Sequence, residues 1–208
     1  MRIVKEPEER KKEILDAAEK LFAERGYGAA TVNEILDAVK IAKGTFYYYF
    51  KSKEDVLDAL IERRISEGVK RAEEIAVSPL SPVQKIVAIM MAQKPQNQAQ
   101  EDFTSVLHEK DNAKMHQKSL TRFILRLGPC LGKVVKEGVE AGIFSTPFPQ
   151  ECSEILLCAG LVLFDDDYFK WTNEEMATKT AAFIAAMERT VGVKAGSFSE
   201  IAKAFTKS

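Results

Sequence analysis

The sequence contains little glycine, proline and cysteine. Gly and Pro contribute 11 and 7 of the 208 residues, which is less than the roughly 12% that is usual for the two together and favours long helices over turn-rich β structure. The three cysteines, Cys130, Cys152 and Cys158, have neither the spacing of a metal site nor that of a CxxC redox motif. We therefore expect reduced thiols in a cytoplasmic protein.

Long hydrophobic runs and catalytic motifs are also missing. The longest apolar run, Ile155–Phe164, has ten residues, whereas a helix needs about 20 to cross a bilayer. The N-terminal region is charged and lacks the apolar segment of a signal peptide. The patterns GxSxG and HExxH and a Gly-rich phosphate-binding loop do not occur. We expect neither a membrane protein nor an enzyme, and no cofactor.

An excess of charge of one sign is lacking as well. The 30 Lys and Arg stand against 31 Asp and Glu, so the formal net charge is −1. This balance argues against a nucleic-acid-binding protein, whose usual mark is a strongly basic domain. However, residues 1–53 carry 11 basic and 9 acidic side chains, and residues 54–208 carry 19 and 22. Composition therefore does not exclude DNA, because the charge that matters for binding is local.

Apolar residues recur at three- to four-residue spacing along most of the chain, and no stretch alternates as a strand does. This pattern predicts an all-α protein with about nine helices. The predicted helices cover residues 8–24, 31–39, 43–50, 53–76, 82–95, 100–114, 117–141, 150–169 and 173–191. Thr31 and Glu34 form a capping box, and Ser52 caps the fourth helix. Pro129 is expected to kink or split the seventh, and residues 77–82 mark a boundary between two parts.

The second and third helices form a helix-turn-helix by length alone, although short helix pairs are common. The third carries three consecutive tyrosines at 47–49. On a helix these point about 100° apart, so at least one or two phenol groups must meet solvent or a partner. Phe46 and Phe50 are four residues apart and are predicted to form a buried stripe beneath them.

Such a surface has the groups that duplex DNA requires. Lys43 and Thr45 can donate hydrogen bonds to base edges or phosphates, and tyrosine hydroxyls can donate to phosphate oxygens. Gly44 lets the backbone approach the DNA closely, and Lys53 places a cation at the start of a helix, where phosphates bind. The alternative is an exposed aromatic cluster that packs against another protein.

The sequence resembles the tetracycline-repressor (TetR) family of bacterial transcriptional regulators over roughly residues 8–68. The resemblance rests on ILDAAEKLF at 14–22, Gly-Tyr at 26–27, TVNEI at 31–35 and, above all, KGTFYYYFKSKE at 43–54. It implies a three-helix DNA-binding domain over residues 1–52, with its motif at about 30–50. A connecting helix would follow at 53–76, and an effector-binding and dimerisation domain at 77–208.

The resemblance also implies roles for single residues. In the family the third helix enters the major groove, so Lys43, Thr45 and Tyr47 are expected at bases or nearby phosphates. Tyr48 is expected at a thymine methyl group, and Asn33 at a base. The residues expected to hold phosphates are Thr31, Tyr49 and Lys53.

The chain departs from the family in the turn of the motif. Relatives usually carry Gly-Val-Ser before Lys-Gly, whereas residues 40–42 here are Lys-Ile-Ala. Lys40 is expected to adopt positive φ at a cost of ~1 kcal/mol. Ala42 cannot cap the third helix, which loses roughly another 1 kcal/mol.

The segment Ile155–Phe164 is apolar around most of a helical circumference, so it must be buried on all sides. A homodimer achieves this burial more simply than one chain does, and purely internal burial is the alternative. The resemblance assigns the dimer interface to the last two long helices, at about 150–169 and 173–191.

The resemblance further implies an effector cavity among the middle helices. The residues expected to line it are Phe103, Leu107, Met115, Phe123 and Leu127, which would suit a small apolar or amphipathic effector. The alternative is that these side chains are ordinary core.

We expect no metal site. His108 and His116 are eight residues apart, about 12 Å along a helix. Three carboxylates at 165–167 would point in different directions around a helix end.

The sequence therefore predicts a ligand-responsive, homodimeric regulator that binds double-stranded operator DNA, most often a repressor in such families. One alternative is a regulator that responds to no small molecule. The other is a helical enzyme or carrier that kept the fold and lost DNA binding.

Overall fold

The computed structural model describes residues 6–95, 98–107, 113–165 and 168–202, and every regular element within these ranges is helical. This confirms the predicted all-α class, with nine α-helices in the described ranges. The helices are α1 (Pro7–Arg25), α2 (Val32–Val39), α3 (Lys43–Tyr49), α4 (Lys53–Ala76), α5 (Pro82–Ala92), α6 (Gln98–Leu107), α7 (Ala113–Glu140), α8 (Pro149–Leu163) and α9 (Asn173–Val191). A 3-10 turn, Ser199–Ile201, follows α9. No helix in the described ranges is both long enough and apolar enough to span a membrane.

The chain forms two compact units, and the division falls inside α4. The first unit contains the residues up to Arg64 together with Pro95–Ser119, and the second contains Ile65–Lys94 and the residues from Leu120 onward. This grouping differs from the sequence-based division at 52, 76 and 77 because α6 packs against α1. Contacts between such distant segments leave no local pattern in a sequence.

The core of the first unit is built on phenylalanines from α1, from α3 and from the position directly after α3. Phe22 of α1, Phe46 of α3 and Phe50 are almost completely buried, as is Ile35 of α2. The ring centroids of Phe46 and Phe50 lie 6.0 Å apart. The predicted buried stripe is therefore confirmed, and it fixes which face of α3 points outward.

The turn between α2 and α3 has the conformation that the sequence predicts. Lys40 adopts φ 55° and ψ 49°, and it is the one non-glycine residue with positive φ in the described part of the chain. Ala42 precedes α3 without a side-chain cap. The capping box at the start of α2 is also present, since the Glu34 N–H donates to the Thr31 hydroxyl and the Glu34 carboxylate accepts the Thr31 N–H.

The predicted end of the eighth helix is wrong, and of the two effects predicted for Pro129, a kink or a split, the split does not occur. Pro129 lies inside α7 without splitting it. Proline has no N–H to donate to the Leu125 carbonyl, and both residues are exposed. The eighth helix ends at Leu163 rather than near 169, because the Trp171 indole N–H donates to the Leu163 carbonyl at 2.8 Å and satisfies a helix-terminal acceptor.

The core of the second unit combines the second half of α4 with α5, α7, α8, α9 and the residues after α9. It contains Ala72, Ile89, Leu127, Val134 and Phe198, each at most 1% exposed. Residues of α4 and of the segment after α9, which are far apart along the chain, therefore share one hydrophobic cluster.

Candidate nucleic-acid interface and ligand cavity

The outward face of α3 carries aromatic and basic side chains. Tyr47 is 47% exposed and Tyr48 is 78% exposed, and Lys43 is exposed beside them. Thr45 and Tyr49 are half-buried at the edges of this face. The structure thus brings the predicted DNA-contacting residues of α3 onto one surface, which we call the α3 face (residues 43–45 and 47–49).

The rings of the α3 face are held in place by their neighbours. Tyr47 meets the buried Phe46 edge to face, with centroids 5.4 Å apart, and Tyr48 meets Tyr49 in the same way at 4.9 Å. The Lys43 ammonium lies 5.9 Å from the centroid of the Tyr47 ring. Such aromatic pairs contribute about 0.5–1.5 kcal/mol beyond the area that they bury, which favours these ring orientations on the α3 face.

Gly44 lies on this face without any internal requirement for glycine. A Cβ placed there would have no atom within 4 Å, and its φ is negative, as in any helix. Neither packing nor backbone conformation therefore demands a glycine. A partner surface that approaches the backbone closely would require a residue without a side chain at this position.

Replacing Gly44 by Ala should separate stability from DNA binding. The thermal midpoint should stay the same or rise, since alanine favours a helix over glycine by about 0.5–1 kcal/mol. Affinity for operator DNA should fall about tenfold or more, which corresponds to 1.4 kcal/mol, because the methyl group occupies the space of the approaching DNA. Thermal unfolding and fluorescence anisotropy measure the two effects, and unchanged affinity would show that DNA does not approach α3 at this residue.

Lys53 has a structural role that the sequence does not reveal. Its ammonium donates to the carbonyls of Tyr27 at 2.6 Å, Ala30 at 2.8 Å and Gly28 at 3.3 Å, and it lies 4.3 Å from the Tyr27 ring centroid. These bonds use all three donors of an ammonium group. Lys53 therefore holds the turn between α1 and α2, and the predicted phosphate contact requires a phosphate to replace one of these carbonyls.

The start of α2 is held by a second set of bonds. The Thr31 hydroxyl, besides accepting the Glu34 N–H, donates to the Glu34 carboxylate, and Arg25 forms an ion pair with the same carboxylate. The Thr31 N–H, then its hydroxyl and then Arg25 lower the pKa of Glu34, so the box persists at neutral pH and is lost only as the pH falls through that lowered value. Asn33 is exposed next to it; its predicted base contact and the phosphate contact of Thr31 remain predictions.

Comparison with known proteins adds an independent observation. A family model described as bacterial regulatory proteins of the tetR family matches residues 14–60, which include α2, α3 and their turn. A second model, described as a tetracyclin repressor-like C-terminal domain, matches residues 94–186. The chain belongs to the TetR family. The departure from the usual turn of this family at Lys40 and Ala42 therefore leaves the fold unchanged, and Lys40 keeps the positive φ expected at its position.

Individual relatives agree with this assignment to the TetR family. The HTH-type transcriptional repressor KstR2 of Mycolicibacterium smegmatis is 33% identical over 87 residues, 42% of each chain. The fatty acid metabolism regulator protein of Bacillus subtilis is 33% identical over 78 residues, 38% of this chain and 40% of the relative. The aligned segments thus span less than half the length of these curated relatives.

A solved structure shares the fold over nearly the full chain. SmeT, the repressor of the Stenotrophomonas maltophilia multidrug efflux pump SmeDEF, aligns with a TM-score of 0.63 at 21% identity. The alignment covers 90% of this chain and 92% of SmeT. At 21% identity, the likeness between this chain and SmeT shows a shared fold alone.

The second unit contains a cavity of about 40 Å³ that is partly open to solvent. Its lining comes from α5, α7, α8, α9 and the segment after α9. The lining residues are Ile86, Met90, Leu131, Val135, Ser153, Leu156, Leu157, Phe183, Met187, Val191 and Phe198. Its walls are apolar, as those of small-molecule sites are, but its volume is far below the roughly 300–1,000 Å³ of such sites.

Of the five residues predicted to line an effector site, four have described side chains, and none of these four lines the cavity. Phe103 and Met115 are buried in the first unit, where the Arg64 guanidinium carbon lies 5.9 Å from the Phe103 ring centroid. Leu127 is buried and Phe123 half-buried in the second unit. The side chain of Leu107 lies outside the described part of the chain. Nothing in the sequence distinguishes the cavity residues, because their apolar pattern is that of any helix core.

The candidate metal ligands do not form a metal site among the residues that the structure describes. His116 and Asp165 are buried, whereas His108 and the other two carboxylates of the 165–167 run lie outside the described residues. Within the described chain no three His, Cys, Asp or Glu side chains come together as a metal site would require.

Proposed function

We propose that this protein is a DNA-binding transcriptional repressor that acts as a homodimer in the cytoplasm and is released from its operator by a small ligand. The observation that carries the proposal is the α3 face, where Tyr47, Tyr48 and Lys43 are exposed above the buried Phe46. Packing within the chain does not account for two exposed tyrosines on a seven-residue helix. Contacts of these tyrosines with base edges and phosphates would account for their exposure.

An electrophoretic mobility shift tests the proposal. We expect the protein to shift a duplex taken from upstream of its own gene in the presence of excess random-sequence DNA. The absence of any sequence-specific shift, even at low salt where phosphate contacts are strongest, would contradict it.

The dimer is supported by apolar residues that the single chain leaves uncovered. Ile155 is 64% exposed and Val162 is 43% exposed, and the exposed Cys158 and Ala159 lie between them on the same side of α8. Helix α9, which packs against α8, has exposed alanines that permit close approach of another helix. A second copy of the chain would bury this surface, which we call the α8 stripe (Ile155, Cys158, Ala159 and Val162).

Replacing Val162 by Glu should convert the dimer to a monomer and abolish operator binding. A carboxylate buried in an apolar interface has no partner, and the monomer reaches only one half-site. Sedimentation measures the mass, and anisotropy measures the affinity. The matched control is Val77→Glu, because Val77 is 86% exposed outside α8 and should leave both unchanged. A Val162→Glu protein that remains dimeric would contradict this assignment of the interface.

The cavity is connected to α4 through α5. Ile86 and Met90 of α5 line the cavity, and Ile86 shares a hydrophobic cluster with Ala72 of α4. At the end of α5, the Arg71 guanidinium of α4 donates to the Ala92 carbonyl at 3.3 Å. A ligand that shifts α5 therefore acts on α4.

Helix α4 in turn extends into the first unit. Arg63 pairs with Asp16 at 2.6 Å and with Glu19 at 2.7 Å, and Arg64 pairs with Glu19, so α4 is tied to α1. The 24 residues of α4 span about 36 Å. In a dimer the two α3 helices must lie about 34–36 Å apart to enter successive turns of the major groove, and a displaced α4 changes that distance.

A further inference from the structure

We propose that Lys40, in the turn between α2 and α3, is a phosphate-binding residue that adds one contact with the DNA backbone from each protomer. Lys40 lies outside the α3 face and is not among the residues for which the sequence predicts DNA contacts. The inference rests on the proposed function in that the ligand is duplex DNA.

The backbone conformation of Lys40 is one that glycine adopts without strain and lysine does not. Its φ is 55° and its ψ is 49°, and a side chain in this left-handed region crowds the carbonyl oxygen that follows. The other described residues with positive φ are all glycines, namely Gly26, Gly142, Gly192 and Gly196. Lysine at position 40 therefore makes the protein less stable than glycine would.

Two hydrogen bonds hold Lys40 in this conformation. The Lys40 N–H donates to the Leu36 carbonyl, and the Ile41 N–H donates to the same carbonyl at 3.1 Å. These bonds end α2 and set the direction in which the chain enters α3. The turn thus requires a positive φ at position 40 from any residue there, and it has no use for a lysine side chain.

The Lys40 side chain makes no contact within the described chain that offsets this strain. It is exposed, and its ammonium has no hydrogen bond, ion pair or aromatic contact with a described residue. Lys53, by contrast, donates to three carbonyls, and Lys43 lies over the Tyr47 ring. Strained residues are concentrated at binding sites, which assigns the Lys40 ammonium to a partner outside the chain.

The position of Lys40 suits the phosphates that border the major groove. Three residues span at most about 11 Å, so the Lys40 Cα lies within that distance of the Lys43 Cα at the start of α3. The major groove is about 12 Å wide, and a helix inside it has a phosphate backbone on either side. Lysine has a flexible four-carbon stem and a compact charge, so its ammonium can reach a phosphate while α3 lies in the groove.

A phosphate contact has two measurable consequences. Phosphates carry no sequence information, so Lys40 raises the affinity for every duplex by the same factor and leaves the preference for the operator unchanged. Each neutralised phosphate also releases counterions, which makes the affinity fall more steeply as salt rises.

Replacing Lys40 by Gly should raise stability and lower DNA affinity. The thermal midpoint should rise by about 2–4 °C, because the strain is removed. At about 0.15 M salt the affinity for the operator should fall at least about tenfold. The slope of log affinity against log salt should become shallower by about 1.8, since each of the two phosphates contributes about 0.9. Thermal unfolding and fluorescence anisotropy at several salt concentrations measure these effects.

Three further variants separate the charge from the backbone conformation. Lys40→Arg keeps the charge and should keep the wild-type salt slope. Lys40→Asn tolerates positive φ without a charge and should match Lys40→Gly in affinity and slope. The control for the loss of one positive charge is Lys170→Asn, because Lys170 is exposed outside the helices of the second unit. This control should leave affinity and slope unchanged.

The ratio of the affinities for the operator and for a shuffled duplex identifies the kind of contact. The ratio should be the same in Lys40→Asn as in the wild type. An unchanged salt slope in Lys40→Asn would overturn the proposal, and so would a lower ratio, which indicates that Lys40 positions α3 instead. A wild-type protein without preference for the operator would contradict the proposed function, while the salt slopes measured on the shuffled duplex would still decide the role of Lys40.

Discussion

Replacing Tyr48 by Ala should leave the protein folded and lower its affinity for operator DNA about 100-fold. Tyr48 is 78% exposed, and exposed substitutions usually change stability by less than about 0.5 kcal/mol. A base contact contributes about 1–3 kcal/mol, and a dimer loses two of them, so a combined loss near 3 kcal/mol is expected. Fluorescence anisotropy with labelled operator measures the affinity, and thermal unfolding measures the stability.

The matched control for this substitution is Tyr168→Ala. Tyr168 is 53% exposed and lies in the second unit, so its removal should change neither affinity nor thermal midpoint. If Tyr48→Ala instead changes the mass of the protein in solution and not its DNA affinity, the tyrosines form a protein-packing cluster, which is the alternative that the sequence left open.

Replacing Gly138 by Ala should destabilise the second unit by about 2–3 kcal/mol. A Cβ on Gly138 would lie 2.9 Å or less from three ring carbons of Phe144. The Phe144 ring is 3% exposed and packs against Phe198, with centroids 6.3 Å apart, so it cannot move aside. The cost of overpacking therefore exceeds the helix preference of alanine.

Gly44→Ala is the control for Gly138→Ala, because the same methyl group is added to a helix where nothing lies within 4 Å. Denaturant unfolding should show a clear loss of stability for Gly138→Ala and no loss for Gly44→Ala. Equal effects would mean that the Phe144 ring yields to the new methyl group and that its packing is looser than the structure indicates.

The sequence predicted those parts of the fold that depend on neighbours in the chain. The capping box of Thr31 and Glu34, the positive φ of Lys40 and the bounds of α4 all follow from local chemistry. The grouping of α6 with the first unit and the end of α8 at Leu163 depend on contacts with distant residues. Periodicity contains no information about such contacts.

The same distinction holds for the candidate sites. The exposure of Tyr47 and Tyr48 above Phe46 follows from helical spacing, and the structure shows it. The bonds of the Lys53 ammonium to the carbonyls of residues 27, 28 and 30 do not, because a turn conformation brings those acceptors together. The cavity was not predictable either, since a residue such as Leu131 that lines a void has the same sequence pattern as one that fills a core.

The central claim is that the α3 face reads a specific operator. The most direct test of this claim is the ratio of the affinities for two duplexes. Fluorescence anisotropy at about 0.15 M salt should be measured with the upstream operator and with a shuffled duplex of the same length and base composition. The account predicts a ratio of at least about 1,000, as for specific DNA-binding proteins, with binding to the shuffled duplex that weakens steeply as salt rises. Equal affinities for the two duplexes would contradict it.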